Sequence, residues 1–265
     1  MWDFFSLLLL GVMEGITEFL PISSTAHLLI VEQLLGVRKS DMFNVVIQSG
    51  AVVAVIPAFW SRVRDLVLHA SARENRDYLA KLFTAFGITG VGGVIMEECG
   101  FKLPESMIPV AIALLVGGIL FLFVEWQRRG KDESDKVTWP IALCMGVAQL
   151  IAACFPGVSR SGACIILALW MGLTRQRATE FAFLLGVPTM LAAGGLKLVK
   201  ALLHGMPGTE PISAVLLGFV VAAVASFLAV KWLIRYVQTH SFIVFGWYRI
   251  AFGIVIFAIW IIKQC

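Results

Sequence analysis

Residues 11–27 read GVMEGITEFLPISSTAH, and the stretch poses a problem that the rest of the chain must resolve. Glu14 and Glu18 stand four residues apart, so on a helix they share one face and repel each other there. Three hydroxyls (Ser23, Ser24, Thr25) and His27 follow the helix-breaking Pro21. The surroundings are hydrocarbon: of 265 residues, 59% are hydrophobic and 14% charged, where a soluble domain carries about a quarter charged residues. Apolar runs at Phe43–Trp60, Leu79–Met96, Ile108–Trp126, Trp139–Phe155, Ala178–Leu203, Ile212–Ile234 and Phe242–Ile262 are long enough to predict bilayer helices. The chain reads as an all-α polytopic membrane protein. No Gly/Ser-rich linker divides it, so residues 1–265 read as one transmembrane domain.

Smaller features fit that class. The N-terminal MWDFF carries an acid and no basic region, so no cleavable signal peptide is expected. Cys99, Cys144, Cys154, Cys164 and Cys265 show no metal-binding spacing and read as small apolar residues. Membrane lipids are the expected surroundings, no nucleic-acid partner is expected, and the oligomeric state is not legible.

The opening stretch recurs. GVMEGITEFLPISS from Gly11 aligns without gaps on GVAQLIAACFPGVS from Gly146, with Gly11/Gly146, Val12/Val147, Ile16/Ile151, Pro21/Pro156 and Ser24/Ser159 identical and Glu14 opposite Gln149. One residue of slippage later, Gly36 meets Gly172 and Gly50 meets Gly186. This predicts a duplication, with one repeat over about 1–126 and the second over about 138–265. After each proline break the apolar run (Leu28–Leu35, Cys164–Met171) is too short to cross a hydrocarbon core of about 30 Å at 1.5 Å per residue. Each opening segment is therefore expected to be a re-entrant helical hairpin. Three crossings between the hairpins invert the second repeat, so that the two tips approach each other near mid-membrane.

Charge placement orients this layout. Thirteen basic residues fall on one side: Arg62, Arg64, Arg73, Arg76, Lys81, Arg128, Arg129, Lys131, Lys136, Arg175, Arg177, Lys231 and Arg235. Six fall on the other: Arg38, Lys39, Lys102, Lys197, Lys200 and Lys263. The positive-inside rule makes the first side cytoplasmic and puts both termini outside.

Broken helices meeting at mid-depth build binding sites, because unwound backbone survives in a membrane only where it lines a cavity. Helix starts after PISST and PGVSRS would aim N–H groups and positive dipole ends at one another, as anion sites do. Arg160, between Ser159 and Ser161, adds a permanent charge there. Glu14 and Glu18 then make sense if one is protonated, or if a divalent cation (Mg²⁺ or Ca²⁺) joins them to a bound anion. Acid pair, hydroxyls, His and Arg suit phosphoryl transfer. Ser24 as nucleophile with His27 as base is the favoured arrangement; metal-activated water and direct attack by His27 are the alternatives.

EGITEFLPISSTAH and PGVSRSG together resemble the two signature regions of the undecaprenyl-diphosphate phosphatase family, also called bacitracin-resistance proteins. The likeness runs over essentially the whole chain. It implies a bacterial inner-membrane enzyme converting undecaprenyl diphosphate, a polyprenyl diphosphate lipid, to the monophosphate carrier of cell-wall synthesis. It also implies Glu14 and Glu18 as the acidic motif, Ser23, Ser24, Thr25 and His27 as the Ser/Thr/His motif, and Ser159, Arg160 and Ser161 as the basic one. Cys164 departs from the motif, which usually ends in Thr.

Further polar residues carry weaker expectations. Glu180 and Arg249 are expected to pair with each other. Asn44 and Gln48 share a helix face and line the cavity. Glu97, Glu98 and Glu125, near segment ends, face headgroups or water. His69, His204 and His240 receive no role. A transporter or flippase of a lipid phosphate or small anion is the rival function, and a membrane scaffold has no use for charges at mid-depth.

Overall fold

A computed structural model describes residues 2–100, 106–204 and 210–264; Lys102, Cys265 and the side chains of Glu97, Lys197, Lys200 and His204 lie outside the described residues. Proline and glycine placement sets where the helices break. In the first half, α1 (Trp2–Thr17) stops before Pro21 and α2 (Ser24–Leu35) follows. α3 (Asp41–Val53), α4 (Val55–Ala58) and α5 (Trp60–Leu68) come next, then α6 (Arg73–Glu98) and α7 (Met107–Arg128). The second half has α8 (Trp139–Cys154), α9 (Arg160–Trp170), α10 (Arg175–His204), α11 (Ile212–Thr239) and α12 (Ile243–Gln264).

Among the described residues five helices, α6, α7, α10, α11 and α12, are long and apolar enough to cross a membrane. The run expected to be one span at Phe43–Trp60 is instead broken. Pro57 has no N–H to offer Val53, so α3 ends there, and Met42–Ala58 meets Trp60–Leu68 at 75°. The arms α1, α2, α8 and α9 have 16, 12, 16 and 11 residues. Gly36 (φ 64°) closes α2 and Gly172 (φ 92°) follows α9, each in the left-handed region that glycine enters without a Cβ clash.

The principal helix pairings are preserved when the halves are exchanged. α1 packs on α11 and α8 on α6, while α7–α12 and α3–α10 join like to like. Close approach at the crossed pairs uses aligned glycines. A Cβ on Gly11 would stand 3.1 Å from the Gly218 carbonyl, and one on Gly146 would stand 2.8 Å from the Ala85 carbonyl. The crossed packing therefore fixes each hairpin against a spanning helix of the other half.

Apolar residues face both ways, as a lipid solvent allows. Val220, Val224, Leu228 and Trp232 form an exposed stripe at helical spacing along α11. Inside, one cluster runs from Phe19, Leu20 and Ile22 at the first break through α8, α9 and the start of α10. Phe19 meets Phe183 edge to face at 4.8 Å, an aromatic contact that contributes about 0.5–1.5 kcal/mol beyond burial. The first break is thus anchored in the apolar core.

The basic segments expected on one face touch one another. Arg62 and Arg177 both pair with Glu180, at 3.1 and 3.0 Å. Arg175 bonds Glu125 through two nitrogens, at 3.0 and 2.6 Å. Glu125 is consequently buried rather than facing headgroups, and it also caps α12 by accepting the Phe242 N–H. Glu98 is exposed, as expected.

Candidate active site

The site begins with two strained serines. Ser23 (φ 72°, ψ 97°) and Ser159 (φ 65°, ψ 112°) are the only non-glycine residues with positive φ among the described ones. Each is an N-cap, its hydroxyl accepting the N–H of the residue three further on, Ala26 or Gly162. Ser23, not Ser24, is therefore the counterpart of Ser159. The slippage that aligns Gly36 with Gly172 lies inside the break, where the second hairpin has one residue more. A serine in this conformation costs about 1–3 kcal/mol, offset by the cap bond and the core beneath.

The corrected register puts Ser24 and Arg160 at equivalent first positions of α2 and α9. They meet through Glu18. The Ser24 hydroxyl donates to Glu18 Oε2 at 2.6 Å, and Arg160 Nη2 donates to Glu18 Oε1 at 2.8 Å. Gln48 Nε2 adds a longer contact to Oε2 at 3.5 Å, while Asn44 on the same helix bonds Glu32 instead. Arg160 also reaches the Gly186 carbonyl at 3.4 Å on α10. Its side chain remains 18% exposed against 5% for Glu18, so the cation is the more accessible member of the pair.

Glu14, one turn back, has both carboxylate oxygens buried without a hydrogen-bond donor, and its carboxyl lies beside that of Glu18. Two buried oxygens without donors need a proton or a cation. Among the described residues no group of three His, Cys, Asp or Glu side chains could hold a metal ion. The donor set is thus two carboxylates, which fits a Mg²⁺-like ion that takes its remaining ligands from phosphate and water.

His27 is held away from Ser24. Its Nδ1 lies 2.7 Å from the Ser23 carbonyl oxygen, which can only accept, so Nδ1 carries a proton. Its Nε2 lies 2.7 Å from the Tyr248 hydroxyl, and Phe252 stacks on the ring at 4.4 Å. No hydrogen bond joins His27 to Ser24, and the carboxylate of Glu18 occupies the place expected for the imidazole. Tyr248 gives no sequence signal beyond its position on a spanning helix.

Other expected contacts resolve differently. Ser161 is buried and turns its hydroxyl to the backbone of the first hairpin, 3.4 Å from the carbonyls of Glu18 and Leu20. Ser159 is occupied as a cap, and Thr25 is exposed. The Glu180–Arg249 pair does not form: Glu180 serves Arg62 and Arg177, while Arg249 is fully buried and donates only to backbone carbonyls. Cys164, where the resembled motif usually has Thr, points its thiol at the Met145 carbonyl, 3.5 Å away, rather than at Glu18. A hydroxyl there would face the core.

Hairpin starts that present a serine, a carboxylate and an arginine to one point are what the signature regions of a known family would build. Residues 7–255 match the family described as Bacitracin resistance protein BacA. The chain belongs to that family. Among its curated relatives, a protein of Rhizobium etli (strain CIAT 652) named undecaprenyl-diphosphatase is 49% identical over 255 residues, 96% of each chain. One of Xanthomonas oryzae pv. oryzae (strain PXO99A) with the same name is 47% identical over 254 residues, again 96% of each. The family match over residues 7–255 spans every residue described at the site.

Proposed function

We propose that this chain hydrolyses undecaprenyl diphosphate to undecaprenyl phosphate and inorganic phosphate. The observation that carries the reading is Glu18, one carboxylate joining a hydroxyl of one hairpin to the arginine of the other, in a chain whose relatives are named for this reaction. In the resting site Glu18 holds Arg160 where a phosphate would sit. An arriving diphosphate takes over the guanidinium, which suits two phosphate oxygens at once, and leaves Glu18 free to accept a proton.

Ser24 then attacks the terminal phosphorus as its proton passes to Glu18. The bridging P–O bond breaks and undecaprenyl phosphate leaves as an anion that needs no proton. Water attacks the phosphoserine, Glu18 returns the proton to the departing Ser24 oxygen, and the proton of the water leaves with inorganic phosphate. The first backbone N–H groups of α2 and α9 have no intrahelical acceptor and stabilise the added charge in flight. Glu14, together with the Glu18 oxygen that Arg160 gives up, would hold a divalent cation, whose chemistry is neutralisation of phosphate charge, and the other Glu18 oxygen stays with Ser24. His27 keeps the first hairpin in register through Ser23 and Tyr248.

The same reading sets the enzyme in the bacterial inner membrane with both termini outward, supported by the excess of basic residues on the face that carries Arg62, Arg175 and Arg177. Release of inorganic phosphate from undecaprenyl diphosphate by purified protein tests it. Binding or translocation of the lipid with no phosphate release would favour the transporter.

A further inference from the structure

We infer that Arg249 is a positioning residue for the reaction, a cation that ties the two hairpin tips together from behind; this rests on the function proposed above. Arg249 lies in α12, is 0% exposed, and is the largest of the fully buried side chains. Its Nη1 donates to the Pro21 carbonyl at 3.1 Å, in the first break. Its Nη2 lies 3.2 and 3.1 Å from the carbonyls of Gly157 and Val158, in the second. The same nitrogen reaches the Ala113 carbonyl on α7 at 3.1 Å. One planar group thus gathers backbone from both hairpins and from the helix between them.

The arrangement has a consequence for the anion site. Residues between broken helices lose their helical partners, and a free carbonyl there would turn a negative dipole on the phosphate. Arg249 takes the carbonyls to one side, which leaves the N–H groups that start α2 and α9 on the other. Among the described residues no carboxylate bonds Arg249, so its charge also adds to the positive potential behind the site. The surrounding backbone is cut to admit it: a Cβ on Gly117 would overlap the guanidinium, and one on Gly162 would stand 3.4 Å from Nη1. Because Ser24 follows the Pro21 break and Arg160 the Gly157–Val158 break, the guanidinium sets the distance between the attacking group and the phosphate clamp.

Lysine keeps the charge and three donors but carries them on one nitrogen, which cannot stand at both the Nη1 position beside the Pro21 carbonyl and the Nη2 position beside the Gly157, Val158 and Ala113 carbonyls. In Arg249→Lys, kcat should fall about 100-fold, the scale of an ångström's misplacement, with KM within about threefold of the parent and the detergent-solubilised protein still folded. Gly117→Ala, which retains Arg249 but pushes its guanidinium from the carbonyls, should show the same split and carries the test if Arg249 variants fail to fold. Spin labels at Thr25 and Phe155, one beside each break, supply a readout without turnover: their distance distribution should lengthen and broaden in Arg249→Lys. The inference is overturned by a folded variant with parental kcat, or by a fall in kcat with an unchanged distribution. If the parent itself releases no phosphate, the proposed function fails, and the spin-label distances still decide whether Arg249 ties the tips.

Discussion

Replacing Glu18 by Gln tests the assignment of the proton acceptor, and the geometry sets the size of the effect. The carboxylate accepts from Ser24 on one oxygen and from Arg160 on the other. An amide cannot accept on both sides. With its oxygen toward Arg160, the NH₂ group faces the Ser24 proton; with its oxygen toward Ser24, the NH₂ group faces the guanidinium. Either orientation leaves one donor facing another, and neither provides a base. Loss of a general base lowers rates about 10²–10⁴-fold, or about 2.7–5.4 kcal/mol of transition-state stabilisation. Glu18→Gln should therefore lose that much kcat for phosphate release from undecaprenyl diphosphate in protein that still folds in detergent, with a melting temperature lowered by the lost Arg160 pair. His27→Gln should lose less, since His27 acts through Ser23 and Tyr248. A Glu18→Gln enzyme within tenfold of the parent, or a His27→Gln enzyme the more damaged of the two, would return the base role to the imidazole.

Arg160→Lys should be nearly as inactive as Arg160→Ala, because a point charge does not reproduce bidentate contact with phosphate; a Lys enzyme with near-parental kcat/KM means charge alone suffices. Excess chelator should abolish phosphate release, with Mg²⁺ or Ca²⁺ restoring it, and Glu14→Gln should weaken that restoration; full activity in chelator removes the metal and leaves Glu14 with a proton. For orientation, a cysteine at exposed Gln33 should react with membrane-impermeant thiol reagents in intact cells and one at exposed Lys131 should not; the reverse pattern overturns the topology.

The spanning helices and the hairpin breaks were legible because length, apolar runs and proline act locally. Even Pro57 carried the signal for the break inside 43–60, masked by the unbroken hydrophobicity around it. The site was legible as a parts list: Glu18, Ser24 and Arg160 do come together. Its wiring was not. The one-residue offset inside the break is invisible to an alignment anchored on prolines, so Ser24 stood opposite Ser159 when its structural counterpart is Arg160. Proximity along the chain points to His27 as the base, yet the structure pairs its Nδ1 with the Ser23 carbonyl and its Nε2 with Tyr248, 221 residues away, and gives the Ser24 hydroxyl the Glu18 carboxylate instead.

Charge matching alone also misled. Glu180 sits one turn into α10 beside Arg62 and Arg177, whereas Arg249 lies deep in α12 among carbonyls. Backbone carbonyls at a helix break serve a guanidinium as well as a carboxylate does, and no residue type announces them. The burial of Glu125 by Arg175 was hidden for a related reason, since a helix end reads as exposed until a distant arginine covers it.

Ser24, activated by Glu18, is proposed to attack the terminal phosphorus. Rapid quench of the purified enzyme with undecaprenyl diphosphate labelled in its terminal phosphate, followed by peptide mapping, tests it most directly. Transient label is expected on Ser24 and absent from Ser24→Ala, with turnover of that variant reduced more than a hundredfold, or more than about 2.7 kcal/mol. Label on His27, or a Ser24→Ala enzyme that keeps a tenth or more of the parental activity, would contradict it.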